Sequence, residues 1–193
     1  MNSMTPRRRG TRVRMLAVTL AILGGVTAAQ AANCDMTLSE AAIDYGHLKR
    51  AELEASHPPP HDVSLSPRRL TLNIRCEQPA PITLRFHAPP AAKGGYAFAD
   101  GGSFTLHLSQ ATLDGRAVEL ATTDDSGHVI QRIGTSQYLE ADQGVAILAG
   151  GERLKGTHAV ISVEVDPSVP HTALRVREET QWKGGGQFEL IAR

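Results

Sequence analysis

Aromatic residues are scarce in this chain, and their scarcity limits what the protein is expected to bind. Phenylalanine, tryptophan and tyrosine make up 4% of the 193 residues, with a single tryptophan. Proteins that hold single-stranded nucleic acid stack the bases on aromatic side chains, so a surface of that kind is not expected. The two cysteines are too few for a disulfide-built mini-protein or a four-cysteine zinc site.

Acidic residues are missing from the first 31 residues, although the whole chain is formally neutral. The chain has 20 basic and 20 acidic residues, and five arginines lie in this stretch, so the remainder carries 15 basic and 20 acidic residues and a net charge of −5. The five are Arg7, Arg8, Arg9, Arg12 and Arg14. Nucleic-acid-binding domains are basic, so nucleic acid is not an expected partner.

Only one long uncharged run occurs, and it directly follows these arginines. It extends from Met15 to Ala29 and is shorter than the roughly 20 apolar residues that cross a bilayer. It ends at Ala29-Gln30-Ala31, the small-x-small pattern that signal peptidase cuts. We therefore predict a signal peptide at residues 1–31 and a single exported domain at residues 32–193, which is not an integral membrane protein. A short membrane anchor is the alternative.

The two cysteines, Cys34 and Cys76, follow the predicted export signal. An even number of cysteines in an oxidising compartment predicts a disulfide. Its loop of about 42 residues would contribute roughly 4 kcal/mol in the chain-entropy model. A redox-active or nucleophilic cysteine is the less favoured alternative, because no Cys-x-x-Cys spacing is present.

Short segments that alternate apolar and polar residues dominate the rest of the chain. In Arg69–Cys76 the apolar residues and Cys76 fall on one face, which is typical of a half-buried strand. Further strands are predicted at Ile82–Phe86, Ser103–Leu108, Ala117–Leu120, Val129–Ile133, Gly144–Leu148, Ala159–Val165, Ala173–Arg177 and Phe188–Ile191. Prolines 79, 81, 167 and 170 are expected to interrupt strands, and a helix is limited to one or two turns around Leu48–Leu53. Regularly spaced short strands predict an all-β sandwich.

Side chains that carry chemistry are present, but not in the spacing that catalysis or metal binding requires. His57 and His61 are separated by three prolines, which prevent a helix, and two imidazoles alone make a weak metal site. Asp124, Asp125 and Asp142 lack the spacing of a calcium loop and are interpreted as turn residues. No Gly-x-Ser-x-Gly elbow occurs. We expect no enzymatic activity, no metal and no cofactor. Trp182 is interpreted as a core or lid residue, with a partner- or sugar-binding anchor as the alternative.

Four segments, in their order, resemble fimbrial subunits exported by chaperone–usher systems. The first segment, Cys34-x3-Leu38-Ser39 with Ile43–Gly46, resembles the first strand of that family. The others are Leu70–Cys76, then 102–115, and finally 160–190. The resemblance implies an immunoglobulin-like, pilin-type β-sandwich that lacks its last strand, leaving an apolar groove. A periplasmic chaperone fills such a groove first, and a neighbouring subunit's N-terminal extension fills it later. Phe188 and Leu190 are the groove-lining candidates.

The resemblance also implies partners and a location. The partners would be a periplasmic pilus chaperone, an usher and other pilin subunits, with a host or surface receptor as a further candidate. The protein would pass through the periplasm to the cell-surface fimbrium, or be secreted, and would serve cell adhesion. The predicted cleavage leaves only Ala32 and Asn33 before the first cysteine, and two residues reach about 7 Å. We therefore expect a subunit, such as a fibre-tip protein, that accepts a donor strand without giving one. The alternative is a free-standing periplasmic or secreted immunoglobulin-like binding module with a complete sandwich.

Overall fold

Strands form most of the chain in a computed structural model, which describes residues 33–56, 58, 62–176 and 178–191. In chain order the elements are β1 (Cys34–Leu38), α1 (Arg50–Ser56), β2 (Val63–Ser64), β3 (Arg68–Pro81), β4 (Thr83–His87), β5 (Tyr96–Phe98), β6 (Gly102–Leu113), β7 (Arg116–Ala117), β8 (Glu119–Thr123), β9 (Val129–Gly134), β10 (Ser136–Leu139), β11 (Gly144–Ala149), β12 (Glu152–Arg153), β13 (Lys155–Val169), a 3-10 turn (His171–Leu174) and β14 (Gln187–Ile191).

The strands form two antiparallel sheets. The first sheet has the order β1-β3-β13-β6-β10, with β2 beside β13 and with β5 and β7 beside β6. The second has the order β14-β4-β11-β8-β9, with β12 beside β11. One hydrophobic cluster draws buried side chains from both sheets. This arrangement confirms the predicted all-β sandwich.

The core follows directly from the alternation in the sequence. In β3, Leu72 and Ile74 are fully buried, and Cys76 is 9% exposed. In the second sheet, Leu84 and Leu120 are fully buried in the same cluster. Successive side chains of a strand point to opposite faces, so a period of two places every second residue between the sheets. Each such side chain contributes roughly 1.5–3 kcal/mol when fully buried.

Two strands are longer than expected, because they continue through prolines that were expected to interrupt them. Strand β3 continues through Pro79 to Pro81, and β13 contains Pro167. The register between β3 and β13 shifts between Gly156 and His158, so Pro79 lies opposite an irregularity of the ladder. A proline has no N–H to donate and is accommodated at such a position. The prediction that Pro79 and Pro167 interrupt the strands was therefore wrong, whereas β3 ends at Pro81 and β13 ends directly before Pro170.

Two further segments differ from the predictions. Residues 43–46 were expected to continue the first strand, but β1 ends at Leu38, and the Asp44 side chain accepts a hydrogen bond from the N–H of Gly46, whose φ is +64°. The strand predicted at Ala173–Arg177 is instead a 3-10 turn at His171–Leu174, with Arg177 outside the described residues. The helix α1 agrees with the helical turns expected near Leu48–Leu53.

Several predictions fall on parts of the chain that the structure does not describe. The predicted signal peptide at residues 1–31 lies outside the described residues, and so do His57 and His61. In the described part of the chain, no helix has both the length and the apolar character needed to cross a bilayer.

Candidate functional site

The predicted disulfide is present. Cys34 and Cys76 are direct partners in the pairing of β1 with β3, and their sulfur atoms are bonded. The N–H of Glu77 donates to the carbonyl of Asn33, 2.9 Å away. The disulfide attaches the first residue of β1 to β3, so a five-residue edge strand is held in place covalently.

Strands β1 and β14 lie at one flank of the sandwich. Each is the last strand of its sheet, and β1 pairs with β3 while β14 pairs with β4. At the other end of the first sheet, β10 contacts β8 and β11 of the second sheet. Face-to-face sheets keep nearly aligned strands, so β1 and β14 occupy the opposite flank together. We call this flank, formed by β1 and β14, the β1/β14 margin.

The apolar side chains of the β1/β14 margin are only half buried. In β1, Cys34, Met36 and Leu38 alternate with exposed residues, and all three pack against the main core cluster. In β14, Phe188 and Leu190 alternate with exposed residues and pack against the same cluster. Their counterparts in the central strands are at most a few per cent exposed. The core is therefore incompletely covered along this flank.

Phe188 and Leu190 lie on β14, at the β1/β14 margin, and both pack against the core. Phe188 is the register partner of Phe86, and the two rings meet edge to face with centroids 4.8 Å apart. Leu190 is the partner of Leu84, which is fully buried. The position of Phe188 and Leu190 follows from the structure, whereas their role in binding another chain stays a prediction.

A cavity of about 1210 Å³ opens at the end of the margin where β1 ends and β14 begins. Two segments form its mouth: residues 38–50, which we call the N-terminal lip, and residues 178–186, the C-terminal lip. The Nδ1 atom of His47 lies 3.3 Å from the Oε1 atom of Glu179 and links the two lips. The lips are more than 120 residues apart in the sequence, which is why local patterns did not predict this cavity.

Aromatic side chains are concentrated at this cavity. The chain has eight aromatic residues, of which five line it: Tyr45, Phe86, Phe98, Phe104 and Trp182. Trp182 is half buried and packs against a second, smaller cluster that includes Leu174 and Val169. It is therefore a lid residue of that cluster and, at the same time, part of the cavity wall.

Glycines allow the C-terminal lip to lie directly on these rings. A Cβ atom at Gly184 would be 2.7 Å from Cδ2 of Phe98, and one at Gly186 would be 2.6 Å from Cζ of Phe86. A Cβ atom at Gly185 would meet nothing within 4 Å. We call the rings of Phe86, Phe98 and Phe104 the aromatic floor of the cavity. The backbone of the C-terminal lip thus lies against this floor on one side and is open on the other as it enters β14.

Asp124 and Asp142, which were interpreted as turn residues, both lie in turns. Asp124 accepts a hydrogen bond from the N–H of His128, which is the main reason that its pKa is lowered. Asp142 adopts a φ of +63° in the turn before β11. Within the described ranges, no three or more His, Cys, Asp and Glu residues are grouped so that they could hold a metal ion.

Asp114 is a stabilising residue that the sequence did not single out. Its carboxylate accepts hydrogen bonds from the N–H groups of Thr157 and His158 and from the Thr157 hydroxyl. The His158 N–H is the main cause of the lowered pKa of Asp114. These bonds join the turn after β6 to β13 at the place where the register of β13 shifts.

Tyr96 is the most completely buried aromatic residue, with no exposed surface. Burial, followed by the charges of Glu140 and Asp142, raises its pKa to about 12. Its ring meets Phe86 edge to face at 4.9 Å. The phenol stays protonated at neutral pH and serves the core.

The amino-acid sequence matches no protein-family model and no curated protein. The resemblance to chaperone–usher subunits therefore stays a prediction. The support for a function comes from the β1/β14 margin and the cavity at its end.

Proposed function

We propose that this protein is a fimbrial subunit that accepts a β-strand from another polypeptide at the β1/β14 margin and serves cell adhesion. A periplasmic chaperone would supply that strand first, and a neighbouring subunit would replace it during assembly through an usher. The chemistry is β-augmentation, in which backbone hydrogen bonds supply affinity and alternate side chains supply specificity.

The observation that carries this proposal is the strand order. An immunoglobulin-type sandwich has strands A, B, E and D in one sheet and strands C, F and G in the other. Here β1, β3, β13 and β6 are neighbours in the order A-B-E-D, and β4 and β14 are neighbours in the order C-F. The position beside β14, where strand G would lie, is not paired in the described chain. On this interpretation the fold is immunoglobulin-like and lacks its seventh strand.

The incomplete burial along the margin gives an incoming strand its driving force. A strand beside β14 would cover Phe188 and Leu190, which are half buried. Covering apolar surface contributes about 25 cal/mol per Å², and each added backbone hydrogen bond contributes roughly 0.5–1.5 kcal/mol. An open edge of this kind is otherwise prone to aggregation, which is the physical reason for a dedicated chaperone.

The Cys34–Cys76 disulfide supports an exported protein, because disulfides persist in oxidising compartments. It also fixes β1, one side of the margin, before any strand arrives. We therefore propose a route through the periplasm to the cell surface.

One observation favours a second candidate, a free-standing immunoglobulin-like binding module. Ile43 of the N-terminal lip packs against the main core cluster, so the chain covers part of its own margin. In this alternative the covering is sufficient, and the oxidised protein is a stable monomer that needs no added strand.

Thermal unfolding of the oxidised protein with synthetic donor peptides tests the proposal. The peptides should be extended segments with alternating apolar residues, and we expect a peptide that fits to raise the melting temperature and to co-elute with the protein. Leu190→Lys should abolish the effect. Ile133→Lys is the matched control, because Ile133 is 50% exposed on β9, the other edge strand of the same sheet. A protein that is monomeric and cooperative alone, and that no donor peptide stabilises, would overturn the acceptor role in favour of the binding module.

A further inference from the structure

The cavity at the end of the β1/β14 margin has an aromatic floor and a charged mouth. These two features indicate which side chains a partner would carry. This inference rests on the proposed function, since it concerns the strand that the margin accepts. We propose that the accepted segment carries a large aromatic or aliphatic anchor side chain, which enters the cavity, next to a lysine or arginine, which binds at the mouth.

The aromatic floor favours a large aromatic or aliphatic anchor side chain. Phe86 contacts Phe188 of β14 and Phe104 of the first sheet, with ring centroids 4.8 and 6.0 Å away. A strand laid beside β14 would bring one of its inward side chains next to Phe188 and over this group of rings. Aromatic pairs in edge-to-face or offset geometry gain about 0.5–1.5 kcal/mol beyond the area they bury. A small side chain would leave these rings uncovered.

The acidic residues at the mouth favour a basic side chain next to the anchor. Four exposed carboxylates line it: Glu40 and Asp44 on the N-terminal lip, and Glu178 and Glu179 on the C-terminal lip. The basic side chains that line it are Arg50 and Lys183, and Arg50 is already bonded to Glu54 at 2.8 Å. The described mouth therefore carries an acidic excess. Charged rims govern orientation and choice of partner more than total affinity, so the charge would fix which end of the segment lies at the mouth.

Tyr45 contributes its ring to the same cavity. Its ring lines the cavity, with the guanidinium of Arg68 5.7 Å from the ring centroid. Its hydroxyl is buried and has no hydrogen-bond partner within the residues that the structure describes. Because this oxygen is buried, it is the ring of Tyr45 that an incoming segment would meet.

The arrangement fits an extended peptide. The cavity lining extends to Gly186, the residue directly before β14, and Gly185 beside it has open space around it. A peptide that starts in the cavity can therefore continue along β14 with its backbone paired.

Four fluorescently labelled peptides test the inference on the oxidised, full-length protein. They share one alternating apolar sequence and differ at two positions, with Phe or Ala as the anchor and Arg or Glu beside it. Fluorescence anisotropy at low and at physiological ionic strength gives each Kd. We expect Phe to bind about tenfold or more tightly than Ala. We expect Arg to bind about three- to tenfold more tightly than Glu at low salt, with the difference shrinking as salt screens the mouth.

Two variants assign these preferences to the mouth. Glu178→Gln with Glu179→Gln should bring the Arg-to-Glu ratio close to one while leaving the Phe preference intact. Glu152→Gln with Asp142→Asn is the matched control, because both carboxylates are exposed and lie outside the cavity lining. It should leave both preferences unchanged.

The outcomes separate this inference from the proposed function. If all four peptides bind and stabilise the protein equally, the anchor-and-charge inference is wrong while the acceptor role stands. If the Arg preference survives both Glu178→Gln with Glu179→Gln and the further variant Glu40→Gln with Asp44→Asn, the charge does not act at this mouth, and the inference is again wrong. If no peptide binds or stabilises the protein, the proposed function fails and the inference fails with it.

Discussion

Removal of the disulfide tests how much the attachment of β1 contributes to the fold. In the double variant Cys34→Ala with Cys76→Ala, the constraint lost is a loop with a sequence separation of 42. In the chain-entropy model this closure corresponds to about 13 cal/mol/K, or about 4 kcal/mol at room temperature. For a domain of this size, 1 kcal/mol shifts the melting temperature by about 2–4 °C. We therefore expect the melting temperature of the double variant to be about 8–16 °C below that of the oxidised protein.

The measurement is urea unfolding, followed by far-UV circular dichroism, of the oxidised protein and the variant. Cys34→Ala alone should lose nearly as much as the double variant, because either change removes the crosslink. The midpoint should fall while the slope stays similar, unless the unfolded state expands when the loop is released. A loss below about 1 kcal/mol in the double variant would refute the reasoning, because β1 would then hold its position without the crosslink.

Three other changes have defined outcomes. Asp114→Asn should cost about 1 kcal/mol at pH 7 after allowance for its exposure. The hydrogen bond from the N–H of His158 lowers the pKa of Asp114 in the folded protein. The wild-type advantage is therefore present above the pKa of the unfolded chain and is lost as pH falls through the lowered folded pKa, which urea titrations at a series of acidic pH values should show. Ile147→Ala removes a side chain that is 1% exposed and should cost about 2–5 kcal/mol in the same assay, and a loss below 1 kcal/mol would contradict the packing described. Gly186→Val would force a Cβ atom to 2.4 Å from the carbonyl oxygen of His87, so we expect displacement of β14 and loss of peptide binding, whereas Gly185→Ala, with open space around it, should bind normally in anisotropy.

The fold class was predictable because strand periodicity is a local property. The alternation of Leu70, Leu72 and Ile74 predicted both a strand and its buried face, and the structure places all three in the core. The number of cysteines and the predicted export signal likewise led to the prediction of the disulfide. These signals need no knowledge of which segments meet in space.

What the sequence did not predict depends on distant contacts. Pro79 was expected to end a strand, but it is tolerated because β13 is irregular opposite it, and β13 lies about 80 residues further along. The segment at 43–46 was assigned to the first strand by its resemblance to fimbrial subunits, yet an Asp44–Gly46 turn takes its place. The cavity is formed by two lips from opposite ends of the domain, so no local pattern could have revealed it. Phe188 and Leu190 were predicted by position alone, and the free edge of β14 gives that position its physical meaning.

Hydrogen–deuterium exchange of β14 measures the central claim most directly. In the oxidised protein without a partner, amides of β14 that face away from β4 should exchange quickly. A donor peptide should slow the exchange of these amides and leave β9, the other edge of the same sheet, unchanged. If β14 is already protected without a peptide, or if a bound peptide slows β9 and not β14, the claim that this margin accepts a strand is contradicted.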